Sequence, residues 1–148
     1  MSNARRPCPI CGASNWRPLY APLIQCSDCT LVATDQDRSP IRASVYDAAY
    51  FTQRNAYLTA ADKFLPFYTH LLDQLSPFKP SGVLLDVGCG VGHLVAAANA
   101  AGYQARGCDV AAWATEYARA QGLEVATGSV EEINYGAASF DIVVANHT

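Results

Sequence analysis

The fold is decided by residues 83 to 92, which read Val83-Leu84-Leu85-Asp86-Val87-Gly88-Cys89-Gly90-Val91-Gly92. The first five residues form a short, almost wholly apolar run, typical of a strand that is buried on both faces of a parallel sheet. The glycines that follow predict a loop, and residues 93–101 favour a helix that Gly102 ends. The stretch therefore predicts a strand, a glycine loop and a helix in immediate succession.

The same order of strand and helix repeats downstream. We expect a second strand over residues 104–108 that ends at Asp109, a second helix over 112–121, a third strand over 123–127 and a more apolar fourth strand over 140–145. Such alternation implies right-handed parallel crossovers. The predicted fold class is α/β, a Rossmann-like doubly wound parallel sheet of about four strands.

Four of the six cysteines lie in two close pairs near the start of the chain. Cys8 and Cys11, and then Cys26 and Cys29, give two C-x2-C knuckles separated by fourteen residues. This spacing is typical of a zinc ribbon in which four thiolates complete a tetrahedral site, so we expect a structural Zn²⁺ and no open position for catalysis. The alternative is that these are buried or redox-active cysteines.

Three segments follow from these patterns: a zinc ribbon (1–38), a connector with an amphipathic helix (39–80) and the Rossmann-like part (81–148). The connector begins as a polar stretch from Asp35 to Ser44 and continues into an aromatic cluster of Tyr46, Tyr50 and Phe51. Apolar residues then recur at helical spacing from Leu58 to Leu75. Because Pro66 interrupts this pattern, we expect a kink or two shorter helices there.

Composition excludes several classes of protein. The chain is 51% hydrophobic and 16% charged, as in globular proteins, and it has neither a secretory signal nor a long apolar span. Its net charge of −3 argues against a broad nucleic-acid-binding surface, because Arg5, Arg6 and Arg17 are too few to form one. We therefore expect a cytoplasmic protein without membrane contacts.

The candidate ligand site lies where the first two predicted strands end. Glycines in the loop allow a ligand to approach the backbone, and the following helix directs its first amides toward that ligand. Asp86 would repel a pyrophosphate but suits the ammonium group of a methionine moiety, whereas Asp109 can accept hydrogen bonds from ribose hydroxyls. A nicotinamide-dependent oxidoreductase remains an alternative, since similar loops serve both classes.

Residues 84–92 resemble the first motif of class I S-adenosylmethionine-dependent methyltransferases, and Gly107-Cys108-Asp109 resembles the second. Residues 128–132 are similar to the adenine-side loop of that family, and residues 140–147 to its fourth motif. The two cysteine knuckles resemble a subgroup that carries an N-terminal zinc ribbon and acts in small-molecule or glycan biosynthesis. The resemblance implies methyl transfer from S-adenosylmethionine to a small-molecule or glycan-type acceptor.

The resemblance also implies roles for individual residues. Asp86 lies near the methionine ammonium, and Asp109 binds the ribose. Because Ser129 stands where the family has an acidic residue, a hydroxyl or the Val130 backbone is left to contact the adenine. The resemblance implies further cofactor contacts by Gly88, Cys89, Gly90, Gly92 and Asn146. It implies His147 as a candidate base beside the methyl group.

Such methyltransferases have seven strands, and this sequence supplies four. The fourth strand is therefore expected to be an apolar edge that pairs with other residues, and the chain is expected to be truncated and a poor catalyst alone. Two further alternatives are a zinc-ribbon RNA methyltransferase or RNA-binding protein, and an inactive binding module.

Overall fold

Two compact units make up the chain, Met1–Ile41 and Arg42–Thr148. The computed structural model describes residues 7–35 and 45–147. The predicted polar connector lies almost wholly outside the described residues, as do Arg5, Arg6 and Thr148.

The first unit is a small antiparallel sheet of three strands in the order β1-β2-β3: β1 Trp16–Pro18, β2 Leu23–Cys26 and β3 Val32–Thr34. Each cysteine knuckle ends in a residue with left-handed backbone, Gly12 at φ 76° and Thr30 at φ 64°. Gly12 N donates to Cys8 O at 2.8 Å, and Thr30 N donates to Cys26 O at 3.0 Å. The two knuckles therefore close in the same way, although only the first has the glycine that this conformation favours.

The second unit contains a parallel sheet in the order β6-β5-β4-β7: β4 Val83–Val87, β5 Gln104–Asp109, β6 Val125–Thr127 and β7 Ile142–Ala145. The chain winds outward from β4 through β5 to β6 and then returns to place β7 on the other side of β4. This reversal makes the carboxyl end of β4 the point where open α/β sheets bind ligands. The predicted Rossmann-like parallel sheet of four strands is confirmed.

One face of this sheet is covered by helices: α1 Ala61–Leu75, α2 His93–Ala100 and α3 Ala112–Ala120. The buried cluster on that face is formed by side chains of the strands and of all three helices, among them Leu72, Leu84, Leu94, Val95, Ala105, Ala118 and Val125. A short fourth helix, α4 Val130–Ile133, follows β6. The alternation of buried and exposed residues along β5 matches this arrangement, with Ala105 and Gly107 buried and Arg106 exposed.

The structure differs from the sequence-based expectations at several element ends. α1 runs through Pro66 as a single helix, so two shorter helices were a wrong expectation; Pro66 is exposed, where water can hydrate the carbonyl left without a donor. Leu58 lies outside α1, in a separate 3-10 turn, Ala56–Thr59. β6 starts at Val125 because the Leu123 amide still donates to Ala118 O of α3. β7 starts at Ile142 because Asp141 instead pairs with Val83, through its amide and its carboxylate.

β7 forms one edge of the sheet, as expected. Within the described part of the chain it pairs only with β4, and the side chain of Val143 is 60% exposed. None of the described helices is long and apolar enough to cross a membrane.

Candidate functional site

The glycine loop after β4 is fixed by backbone hydrogen bonds to the end of β5. The amides of Gly88 and Cys89 both donate to Cys108 O, at 2.8 and 3.0 Å. Gly88 and Gly90 have φ of 71° and 53°, a region that residues with side chains rarely adopt. A Cβ added at Gly90 would meet nothing within 4 Å, so the backbone of this loop faces open space.

Asp109 fastens the loop from the end of β5. Its Oδ2 accepts a hydrogen bond from the Gly90 amide and its Oδ1 accepts one from the Ala111 amide, each at 2.8 Å. The carboxylate thus joins the glycine loop to the start of α3. Each oxygen keeps a second lone pair for a ligand.

A cavity of about 490 Å³ lies against this loop. Its volume is in the range of small-molecule sites, roughly 300–1,000 Å³. Seven of the residues predicted from the sequence to bind cofactor or to act in catalysis line it together: Gly88, Cys89, Gly90, Asp109, Ser129, Val130 and His147.

Asp86 lies behind the cavity wall rather than among the lining residues. It is only 5% exposed, and burial, followed by the charge of Asp109, raises the pKa of its carboxyl group to about 7. No donor among the described residues forms a hydrogen bond with this carboxylate. Burial raises the pKa of the Tyr68 hydroxyl, and the charge of Asp86 raises it further. Tyr68 itself lines the cavity. A cation near this wall would relieve an unfavourable buried charge.

Gly92 and Asn146 also lie outside the cavity lining. A Cβ at Gly92 would be 2.6 Å from a methyl carbon of Leu123 and 3.2 Å from Ala118, so this glycine allows close packing of α2 against neighbouring elements. Asn146 is half-buried at the end of β7, next to His147.

Ser129 uses its hydroxyl within its own loop. Its Oγ accepts from the Glu132 amide at 3.3 Å, while its own amide donates to Glu132 Oε2 at 2.9 Å. These two bonds are a capping box that starts α4. A contact from this loop to a ligand therefore falls to Val130 or Glu131, which also line the cavity.

The opposite wall is aromatic and comes from the segment before and within α1. Its lining residues are Tyr46, Tyr50, Phe51, Leu58, Phe64 and Tyr68. Phe51 packs with Val91 of the glycine loop and stacks on Trp113 of α3, with ring centroids 5.2 Å apart. The sequence marked Tyr46, Tyr50 and Phe51 as a cluster, but only the fold brings it over the glycine loop.

His93, the first residue of α2, also lines the cavity. It stacks on Phe64, with ring centroids 5.1 Å apart, and its Nε2 donates to Leu58 O at 2.6 Å. The first residue of α2 thereby holds the 3-10 turn over the cavity. A histidine directly after the last glycine of the loop was the one available sequence signal.

Tyr50 is fixed by a polar clasp within the turn that carries it. Residues Tyr50–Arg54 form a π-helical turn, and the Tyr50 amide donates to Asp47 Oδ1 at 2.8 Å. The Arg54 guanidinium binds the same oxygen at 2.7 Å and lies 5.8 Å from the centre of the Tyr50 ring. The ring that faces the cavity is therefore held at its backbone and at its outer face.

In the first unit, Cys8, Cys11, Cys26 and Cys29 form one cluster whose sulfur atoms all lie within 4.8 Å of one another. Cys8 Sγ is 3.5 Å from Cys29 Sγ, and Cys11 Sγ is 3.6 Å from Cys26 Sγ. Tetrahedral Zn–S bonds of about 2.3 Å place sulfurs about 3.8 Å apart, so the cluster has the dimensions of a four-thiolate zinc site.

Comparisons with known proteins agree with the fold. Residues 85–148 match the family model described as a methyltransferase domain. A structure of an S-adenosyl-L-methionine-dependent methyltransferase from Methanococcus maripaludis, whose function is assigned only provisionally, is 18% identical with a TM-score of 0.59; the match covers 70% of this chain and 51% of that one. Magnesium protoporphyrin IX methyltransferase from Synechocystis, solved with bound S-adenosylmethionine, is 16% identical with a TM-score of 0.52, covering 73% of this chain and 62% of that one.

This chain therefore spans about half the length of the first of these structures. A search of curated protein sequences finds no significant match.

Proposed function

We propose that this chain, whose residues 85–148 carry part of a methyltransferase domain of the class I fold, binds S-adenosylmethionine in the cavity and transfers its methyl group. The observation that carries the proposal is the carboxylate of Asp86, which is 5% exposed, has its pKa raised to about 7 and lies two residues before an open glycine loop. A pyrophosphate would add negative charge beside this group, whereas an ammonium group and a sulfonium would offset it. The charge thus favours the sulfonium nucleoside over a nicotinamide dinucleotide.

The residues present fit that molecule. Asp86 attracts the ammonium group, and the loop glycines Gly88 and Gly90 leave room for the ligand against the backbone. Asp109 accepts hydrogen bonds from ribose hydroxyls with the lone pairs that Gly90 and Ala111 leave free. The adenine contact falls to the Val130 backbone, because the Ser129 hydroxyl is engaged in its capping box.

When bound, S-adenosylmethionine would supply a methyl group, activated by its positive sulfur, to a nucleophilic O, N or C of the acceptor. The protein contributes alignment and exclusion of water, with the aromatic wall on one side and the glycine loop on the other. His147 lines the cavity and is the candidate to take the acceptor's proton. His93 positions the wall, since its Nε2 proton is already donated to Leu58 O.

We further propose that the first unit binds a structural Zn²⁺ through Cys8, Cys11, Cys26 and Cys29. Four thiolates would fill a tetrahedral shell, so the ion has no place for a substrate. Thiolates held in this way persist in a reducing compartment, which supports a cytoplasmic location.

The open edge of β7 supports a further contact. Its unpaired side and the exposed Val143 offer a strand for pairing with another chain. Sedimentation of the wild-type protein against Val143→Lys tests this proposal, with self-association expected only for the wild type and contradicted by identical profiles.

Calorimetry with S-adenosylhomocysteine tests the proposed cofactor. We expect one ligand per chain, with affinity lowered about ten- to hundredfold in Asp109→Asn, since hydrogen bonds to charged groups contribute roughly 1.5–3 kcal/mol. Asp73→Asn, on the exposed side of α1, is the matched control and should bind as the wild type does. No binding by the wild-type protein, or equal affinity in both variants, contradicts the proposal.

A further inference from the structure

The cavity is poor in positive charge. Two carboxylates line it, Asp109 and Glu131, and a third, Asp86, is buried behind its wall. None of the described lining residues is a lysine or an arginine. An anionic group that entered this cavity would lose its water and meet no lysine or arginine among the described residues that line it.

The cationic side chains nearby in the second unit have other partners. Arg54 pairs with Asp47 at 2.7 Å, and Arg106 pairs with Glu124 at 2.7 Å. Arg119 donates to Val125 O at 3.0 Å. These guanidinium groups bind other parts of the second unit, and none of the three arginines is among the residues that line the cavity.

The aromatic wall favours the same kind of ligand. Tyr46 and Tyr50 meet edge to face, with ring centroids 4.9 Å apart, and Tyr50 meets Phe51 in the same way at 5.0 Å. Aromatic faces carry negative charge density, so they attract cations and stack on flat neutral rings, but they do not favour anions. The polar groups that this wall adds are tyrosine hydroxyls.

We propose that the methyl acceptor is a small, ring-containing molecule without a negative charge. This inference rests on the proposed function, since it concerns the acceptor of the same cavity. The negative charge of the described lining disfavours carboxylate- and phosphate-bearing acceptors, nucleic acid among them, and its aromatic wall binds the ring of the acceptor. Glu131, an exposed carboxylate among the lining residues, contributes to this preference.

The test uses three bicyclic probes of matched size and different charge. Quinoline is neutral at pH 8, N-methylquinolinium is cationic and 2-naphthoate is anionic. Each is titrated calorimetrically into the full chain saturated with S-adenosylhomocysteine. We expect quinoline and N-methylquinolinium to bind at least about tenfold more tightly than 2-naphthoate, because the carboxylates that line the cavity act on the probe at reduced dielectric.

Two variants identify the cause. Glu131→Gln should reduce the difference in affinity between N-methylquinolinium and 2-naphthoate. Glu124→Gln, which removes an exposed carboxylate paired with Arg106, should leave this difference unchanged. Val110→Lys adds a cation at a lining residue that is 42% exposed, and it should raise the affinity for 2-naphthoate.

The outcomes distinguish a wrong acceptor class from a wrong cofactor. Binding of S-adenosylhomocysteine together with equal or tighter binding of 2-naphthoate overturns the acceptor class and leaves the proposed function standing. Failure of S-adenosylhomocysteine to bind overturns the proposed function, and this inference with it. Equal changes in Glu131→Gln and Glu124→Gln overturn the role of Glu131.

Discussion

Replacing Asp86 by asparagine is expected to make the protein more stable and, at the same time, a weaker binder of S-adenosylhomocysteine. Burial, followed by the charge of Asp109, raises the pKa of Asp86 from 3.8 to about 7. Between these two values the folded protein keeps a proton that the unfolded chain has released, so the free energy of unfolding falls as pH rises through that window. At pH 8 the ionised carboxylate costs about 4 kcal/mol, since each pH unit of difference corresponds to about 1.4 kcal/mol.

The ligand reverses this effect. An ammonium group beside the carboxylate favours the ionised form, so binding of S-adenosylhomocysteine at pH 6 should release close to one proton from the wild-type protein. Asparagine has nearly the same shape but no charge, and it should release none from this site. The lost charged interaction, roughly 1.5–3 kcal/mol, should lower affinity about ten- to hundredfold.

Two assays measure the two effects. Urea unfolding from pH 4.5 to pH 8 should show a stability gain of Asp86→Asn that grows with pH, and calorimetry at pH 6 in buffers of different ionisation enthalpy counts the released protons. Asp73→Asn is the control, because that carboxylate is exposed on α1. A variant no more stable than the wild type at pH 8, or one that releases the same number of protons on binding, would refute the reasoning.

Three further outcomes follow from the structure. Metal chelation, or Cys11→Ser, should remove one equivalent of bound zinc and abolish the fold of the first unit. Metal analysis measures the zinc, and near-ultraviolet circular dichroism measures the loss of the fold. A zinc content below about one-tenth per chain in the native protein would contradict this prediction. In urea titrations, Gly92→Ala should lower the free energy of unfolding by about 1–3 kcal/mol more than Gly122→Ala does. Both glycines have φ above 80°, but only at Gly92 would an added Cβ meet another side chain, at 2.6 Å. Equal losses of stability in the two variants would contradict this prediction. The Val83 amide and Lys79 hold the pKa of the Asp141 carboxyl below its usual range, so the wild type loses this stabilisation as pH falls through that pKa. Asp141→Asn should therefore lower stability at pH 7 and leave it unchanged well below that pKa. A stability difference that does not vary with pH would contradict this prediction.

The sheet was predictable because its strands carry strong local signals. β4 has four apolar residues in a run of five between turn residues, and its observed bounds, Val83–Val87, are those expected. The starts of β6 and β7 were less predictable, because they depend on tertiary hydrogen bonds. The amide of Leu123 donates a hydrogen bond to α3, and Asp141 forms hydrogen bonds with Val83 through its amide and its carboxylate. Such bonds leave no mark in the hydrophobic pattern.

The site was predictable where backbone chemistry dictates it. Positions such as Gly90 and Asp109 follow directly from the loop and the strand end, and the structure brings them to one cavity. The aromatic wall was predictable only in part, because Phe64 and His93 are 29 residues apart in the sequence. They lie on two different helices and meet through the packing of α1 on α2. For Gly92 the spacing of the glycines suggested a ligand contact, whereas the structure shows a packing contact with Leu123.

The proposed function requires that the cavity select S-adenosylmethionine over a nicotinamide dinucleotide. Equilibrium dialysis of the full chain with radiolabelled S-adenosylmethionine, in competition with S-adenosylhomocysteine and separately with NAD, measures this directly. We expect S-adenosylhomocysteine to displace the label from one site per chain and NAD to leave it bound at millimolar concentration. Displacement by NAD at the concentration at which S-adenosylhomocysteine competes, or the absence of any bound label, would contradict the account.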